Sequence, residues 1–182
     1  MQALAIVDMQ RWMFRLPERA AQLGVIVPAI NTLAATFAAA GRPVFDIRVV
    51  HKADRSTWSR LMLKHNYSCM IEGTADVELV DGLAMPASAE VVAKRSNSAF
   101  LATDLEERLR AVHVETLVLA GAFIDGCVGL TAADAAQRGF DVVIVEDAVA
   151  HCNERHGKTL IEWLVSMYEL KTMKAAAVLA AS

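Results

Sequence analysis

Three residues far apart in the chain, Asp8, Lys94 and Cys127, are of the types needed for nucleophilic attack on a carbonyl. They supply a thiol to attack, a carboxylate to take its proton, and a cation to hold the charged pair. Each has a duller role when it stands alone. An aspartate after a strand is commonly a turn former or helix cap, a lysine there is commonly solvated, and a free cysteine is commonly a small buried hydrophobe. What sets these three apart is that each follows closely on an apolar run of strand type. A parallel sheet would deliver all of them to one edge.

The runs that must do this are clearest over residues 114–147. Val114-Glu115-Thr116-Leu117-Val118-Leu119-Ala120-Gly121 and Val142-Val143-Ile144-Val145 read as buried parallel strands. Between them Val128, Thr131, Ala132, Ala135 and Ala136 recur at helical spacing, and Gly139 ends the helix. The unit is strand, tight turn, helix, strand, with the ligand side outside the carboxyl ends of the strands. Cys127 falls there, in the expected first turn of the helix, where unpaired N–H groups and the macrodipole bias a thiol towards thiolate.

Ala3-Leu4-Ala5-Ile6-Val7 forms a first strand that ends on Asp8. Residues 9–14 have no clear period and read as a loop lining the site entrance, with Trp12 and Phe14 as candidate apolar contacts for a small ligand. Residues 17–40 are helical, with Leu23, Ile26, Val27, Ile30, Leu33, Ala34 and Phe37 on one stripe. Residues 44–50 are a second strand whose imperfect alternation places it nearer an edge. Glu90-Val91-Val92-Ala93 is a short third strand terminated by Lys94. Beyond it, Thr103 is placed to cap a helix with Leu105, Leu109 and Val112 as its buried stripe. A last long helix spans about 154–169, with Leu160, Ile161, Leu164, Val165 and Tyr168 facing in. The tail over 173–181 holds a short strand, a terminal helix, or both.

Residues 51–88 form a weakly patterned insertion, and long insertions in compact domains are more often functional than idle. It is expected to cap the site and set the substrate. His51, just past a strand end, reads as a metal ligand, a substrate contact or an ordinary hydrogen-bonded surface histidine.

A chain of 182 residues is most simply one domain, 1–182. Its 55% hydrophobic content with only 6% aromatics describes an Ala/Val/Leu-rich core of helices on a sheet. The formal charge of −3, with scattered Lys and Arg, excludes an extended nucleic-acid surface. No run approaches the roughly 18 apolar residues of a membrane span, and Met1 leads straight into a strand, so a cytoplasmic protein with no membrane partner is expected. Cys69, Cys127 and Cys152 are odd in number with no C-x-x-C pair, which supports neither a disulfide framework nor a zinc ribbon. Cys69 and Cys152 read as packing residues.

With these residues in place, the chain resembles the isochorismatase-like cysteine hydrolases, a family that includes nicotinamidases, N-carbamoylsarcosine amidases and ureido-hydrolases. The resemblance rests on Ala5-Ile6-Val7-Asp8-Met9-Gln10, on the stretch from Val91 through Lys94 to Phe100, on the stretch from Leu119 to Val128, and on Val145-Glu146-Asp147-Ala148 with His156 beyond. It implies a three-layer α/β/α fold with a mainly parallel sheet of about six strands and an Asp8-Lys94-Cys127 catalytic triad. It also implies a cis peptide between Ala122 and Phe123, with the Phe123 and Cys127 N–H groups as oxyanion donors, and a homo-oligomer. The implied reaction is hydrolysis of a C–N bond in a small amide, carbamoyl or ureido substrate through a cysteine thioester, with no cofactor.

Departures from the family pattern bear on the substrate. Nicotinamidases carry an Asp-x-His metal pair after the second strand, where this chain has Asp46-Ile47-Arg48, so no catalytic zinc is expected. Ile124 replaces a small polar residue and Gly126 a larger one, which suggests a pocket of altered shape with Ile124 at its wall. Two other readings stay open: a non-catalytic binding or oligomerisation module of the same fold, and a hydrolase of a non-amide small molecule. A redox-active thiol protein is disfavoured by the lack of a resolving cysteine.

Overall fold

Alternation along the first strand sets the layers. In the computed structural model, which describes residues 1–181, Leu4 and Ile6 of β1 (Gln2–Val7) project to one face of the sheet. There they meet Ile26, Ile30, Leu33 and Phe37 of α2 (Leu23–Ala39) and Val178 of α7 (Ala175–Ala180). Ala3, Ala5 and Val7 project to the other face. They meet Leu105 and Leu109 of α4 (Leu105–Ala111), Ala132 and Ala135 of α5 (Gly129–Gln137), and Leu164 of α6 (Glu154–Tyr168). A strand period of two therefore feeds two separate cores, one on each side of the sheet.

The sheet has six strands in the order β3-β2-β1-β4-β5-β6, all pairs parallel. The remaining strands are β2 (Val44–Val49), β3 (Glu90–Lys94), β4 (Thr116–Gly121), β5 (Asp141–Val149) and β6 (Lys171–Met173). This is the expected three-layer α/β/α fold. The chain runs outward from β1 to β2 and β3, then returns to the other side of β1 for β4. The crevice between the carboxyl ends of β1 and β4 is thus the topological switch point, the usual ligand position of an open α/β sheet.

Several local expectations need correction. The helical pattern over 17–40 divides into a short α1 (Pro17–Ala20) and α2, and at the break the Gln22 side chain clasps the His151 backbone, Nε2 to O at 2.9 Å and N to Oε1 at 3.0 Å. β2 does lie nearer an edge than β1, one strand in from β3, which holds the edge itself. The polar residue that spoiled the alternation of β2, Asp46, is buried but paired with Arg48 two residues on, on the same face. Val112 and Val165 are exposed rather than inward. The tail contains both a strand, β6, and a helix, α7. Among the described residues no helix is long and apolar enough to cross a membrane.

Candidate active site

β1 and β3 are separated by β2, so their axes lie roughly 10 Å apart. A lysine is long enough to cross that gap beneath a capping segment. Lys94, the last residue of β3, lays its side chain over the end of β2, and its Nζ donates to Asp8 Oδ2 at 2.8 Å and to the Ser96 carbonyl at 3.0 Å. Both side chains of the ion pair are fully buried. Asp8 itself is held just past β1 by its N–H on the Ile47 carbonyl at 2.8 Å and takes a positive φ of 50°, a conformation aspartate tolerates better than most residues. Burial pushes its pKa up, and the adjacent Lys94 charge opposes the rise.

The second oxygen, Asp8 Oδ1, is buried without a conventional hydrogen-bond partner. The Cys127 thiol also acts on the Asp8 carboxyl. Cys127 does not open an α-helix. It lies in a single π-type turn, Ile124–Val128, closed by the Val128 N–H on the Phe123 carbonyl at 3.1 Å, and α5 begins only at Gly129. The turn is anchored from outside: both carboxylate oxygens of Asp125 accept backbone N–H groups, from Cys152 and Asn153, each at 2.8 Å. Its geometry is that of a short irregular turn at a functional site rather than of a regular helix start.

Burial works against the expected bias towards thiolate. Burial pushes the Cys127 thiol up to about 12, the Asp8 charge adds to the rise, and Lys94 only partly offsets it. These effects favour the protonated thiol, and its Sγ makes a weak contact with Asn97 Oδ1, 3.9 Å away. Alkylation of Cys127 by iodoacetamide is therefore expected to keep accelerating as the pH rises past about 9, because only the thiolate reacts. A rate that levels off below neutral pH would show a preformed thiolate and contradict this picture.

The peptide bond between Ala122 and Phe123 is cis. Among the described residues the Phe123 N–H meets no acceptor, whereas its neighbours Ala122 and Ile124 donate to Val7 and Ala150. The thiol opens onto a pocket of about 390 Å³. Trp12 and His51 line it, and the 51–88 insertion, which carries α3 (Arg60–His65), contributes Ser59, Met62, Tyr67, Cys69 and Met70.

Phe14 and Ile124 do not line the pocket. Phe14 is buried behind Phe123, their rings 5.5 Å apart, because the 3₁₀ turn Arg11–Phe14 carries it to the core side. Ile124 is buried against α6, so close that a Cβ on Gly157 would stand 2.8 Å from its Cγ2. In their place the pocket gains Arg15, Arg19, Arg95 and Asn97, and both other cysteines, Cys69 and Cys152, face it. No periodic signal marked these residues: Arg19 lies on the short α1, and the others lie in the turn after β1, in the insertion and in loops. Gln10, quoted only as part of a motif, is fully buried; its amide bridges Val49 N–H and C=O, each at 2.9 Å, and so fixes the end of β2. A larger cleft of about 550 Å³ along α6, lined by Arg155, His156 and Trp163, holds none of the three reactive residues.

The Asp46 carboxylate is already taken by the Arg48 guanidinium, through Nε at 2.8 Å and through Nη2. His51 is buried with Nδ1 at 2.7 Å from the Thr57 carbonyl, and burial lowers its pKa, with Lys94 and Arg95 adding to the effect. Among the described residues no three His, Cys, Asp or Glu side chains are grouped to hold a metal ion. These residues do not fit the zinc set of an Asp-x-His site.

Against known proteins, residues 2–175 match the isochorismatase domain. The chain belongs to the isochorismatase family. Maleamate amidohydrolase from Pseudomonas putida is 36% identical to it over 108 residues, 58% of this chain and 47% of that one. The chain thus spans about half the length of that relative. Nicotinamidase 3 from Arabidopsis thaliana is 30% identical over 167 residues, covering 87% of this chain and 78% of its own. The crystal structure of N-carbamoylsarcosine amidase from Thermoplasma acidophilum superposes with a TM-score of 0.81 at 26% identity, covering 96% of each chain.

Proposed function

We propose that this isochorismatase-family protein is a cysteine hydrolase that cleaves the C–N bond of a small amide, carbamoyl or ureido compound, with Asp8, Lys94 and Cys127 as its catalytic residues. One observation carries the reading: a fully buried Lys94–Asp8 ion pair leaves the second carboxylate oxygen without a conventional partner, and the carboxyl interacts with the Cys127 thiol. A buried charged pair is costly, and an unpartnered buried carboxylate oxygen more so, so a purely structural role gives no reason to retain both. The names of the relatives, amidohydrolase, nicotinamidase and carbamoylsarcosine amidase, support the C–N bond as the target.

The chemistry follows from the charges. A thiol raised to about 12 cannot rest as thiolate, so its proton moves to Asp8 only as Sγ closes on the carbonyl carbon. The Lys94 charge favours the ionised form of Asp8 against the rise that burial imposes. The carbonyl oxygen gains the charge, and the free N–H of Phe123 together with that of Cys127 is assigned to receive it. The tetrahedral adduct then collapses: the C–N bond breaks, protonated Asp8 returns the proton to the departing nitrogen, and a thioester remains. Water, deprotonated by Asp8, attacks the thioester carbon; the C–S bond breaks, Cys127 regains its proton, and the carboxylic acid leaves. No step is assigned to a metal, since the Asp46 carboxylate serves Arg48.

The test is ammonia release by the purified protein from a panel of small amides, carbamoyl and ureido compounds, with Cys127→Ala alongside. Release by the wild type that falls by at least about a thousandfold in the variant is the expected result. Full activity in Cys127→Ala would rule out covalent catalysis, and silence of both proteins across the panel would favour the non-catalytic module.

A further inference from the structure

Three guanidinium groups, those of Arg15, Arg19 and Arg95, stand in the wall of the pocket into which Cys127 opens. Of the nine arginines outside it, Arg11, Arg48, Arg108, Arg110 and Arg138 each hold a carboxylate within 4.0 Å; the other four, Arg42, Arg55, Arg60 and Arg155, do not converge on one cavity. The three in the pocket hold none. Arg15 is stacked on the Trp12 ring at 3.5 Å and donates to the Trp12 carbonyl at 2.9 Å and to the Tyr67 hydroxyl at 3.1 Å. Arg19 sits over the Phe123 ring at 5.0 Å and reaches the Met13 carbonyl at 3.5 Å. Arg95, the residue after Lys94, has neither a hydrogen bond nor an ion pair among the described residues.

No carboxylate lines the pocket. Three acidic residues outside the lining act on its cysteines, Asp8 on Cys127, Asp76 on Cys69 and Asp125 on Cys152, and the last two are committed to backbone N–H groups: Asp76 to that of Met70 at 3.1 Å, Asp125 to those of Cys152 and Asn153. Asp8 is matched by Lys94. The chain as a whole is acidic, at −3, yet this one concavity is a cluster of uncompensated positive charge. Clustered like charges in a partly enclosed cleft repel one another and focus the field on whatever enters. They persist in a folded protein without cost to function when the missing counter-charge arrives with the ligand.

We propose that the substrate is an anion, a small amide or ureido compound that carries a carboxylate at the end away from the scissile bond, and that Arg95 is the residue that pairs with it. The inference rests on the hydrolase reading above and names its substrate class. Arg95 is favoured over the other two because the donors of Arg15 and Arg19 are partly engaged with carbonyl and hydroxyl oxygens, while the planar fork of Arg95 is free for a bidentate carboxylate contact. Arg15 and Arg19 add long-range attraction, and Trp12 and Tyr67 supply apolar wall for a short carbon chain.

The experiment compares each of three monoamides, malonamate, succinamate and glutaramate, with its neutral diamide, in wild type and in Arg95→Gln, by ammonia release and by calorimetric binding to Cys127→Ala. The expected result is that at least one monoamide exceeds its diamide by about tenfold or more in kcat/KM, as a charge-assisted hydrogen bond implies. In Arg95→Gln that ratio should shrink towards parity through a raised KM for the monoamide, and added salt should shrink it in the wild type. A diamide hydrolysed as well as its monoamide overturns the anionic pocket while leaving the hydrolase standing. No ammonia from either class, with the monoamide still bound more tightly than the diamide by Cys127→Ala, supports the anionic pocket and sinks the hydrolase. Equal binding with no turnover sinks both, and a preference that survives Arg95→Gln intact removes Arg95 from the role.

Discussion

Replacing Lys94 by methionine is expected to destabilise the protein by about 3 to 5 kcal/mol and to abolish turnover, although the new side chain has nearly the length of the old. The loss comes from the group left behind. Asp8 is fully buried, its Oδ2 has Lys94 as its charged partner and its Oδ1 has no conventional partner at all. Without the ammonium, the largest influence opposing the desolvation that already raises the Asp8 pKa is gone, so the carboxyl becomes harder to ionise and a poorer proton acceptor. The sign of the pH dependence follows. A carboxyl whose folded pKa lies above its ordinary value of 3.8 contributes its stability fully below that value and loses it as the pH rises through the folded pKa. The deficit of Lys94→Met should therefore be smallest in acid and grow towards neutral pH. Adding Asp8→Asn should recover part of the stability and none of the activity, because the double variant buries no charge. Urea unfolding at two pH values, with ammonia release beside it, reads all of this. A Lys94→Met protein within about 1 kcal/mol of wild type at neutral pH would mean that the ion pair is a minor feature of the fold.

The residues that make this site were legible to different degrees, and the reasons are physical. Asp8 could be found because β1, buried on both faces, is written as an unbroken apolar run, and Lys94 because even the short apolar run of the edge strand β3 ends in a polar residue; the first polar residue after such a run lies at the sheet's carboxyl edge. The same logic found the strand before Cys127. It could not find the π-type turn that separates Gly121 from α5, since one extra residue in a turn leaves no period behind, and so the thiol was expected at a helix terminus that does not exist there. Nor could it find the protonation state, which depends on burial and on an aspartate more than a hundred positions away. Trp12 and Phe14 lie in one short turn and look equivalent in the sequence; in the fold one lines the pocket and the other packs behind Phe123. Arg15, Arg19 and Arg95 were invisible for a further reason. An isolated arginine in a loop is normally solvated, and only the folded chain shows three of them converging with no acid between.

Gly121→Ala is the second substitution expected to be severe, at about 3 kcal/mol or more, with a fall in turnover that exceeds what partial unfolding explains. Gly121 closes β4 with φ +108°, outside the range of an L residue, and a Cβ there would stand 2.1 Å from the Val7 carbonyl oxygen and 2.7 Å from the Val7 nitrogen. These are backbone atoms of the neighbouring strand, so no side chain can rotate aside. Val7 is the residue before Asp8, and its carbonyl accepts the N–H of Ala122 at 2.7 Å, while Gly121 in turn accepts the N–H of Ala150 at 2.9 Å. Close approach of β1 to β4 at this point is what brings Asp8 on one strand end within reach of Cys127 beyond the other. An added methyl group must part the strands, and the first atoms to move are those that carry the proposed base and the Phe123 N–H. Gly24→Ala is the matched control: it lies inside α2 with nothing within 4 Å of the new Cβ, and it should stabilise by about 0.5 to 1 kcal/mol, as glycine to alanine does within a helix. If Gly121→Ala unfolds at the wild-type urea midpoint and keeps its turnover, the two strand ends part freely, and the rigid edge between Asp8 and Cys127 is not what arms the thiol.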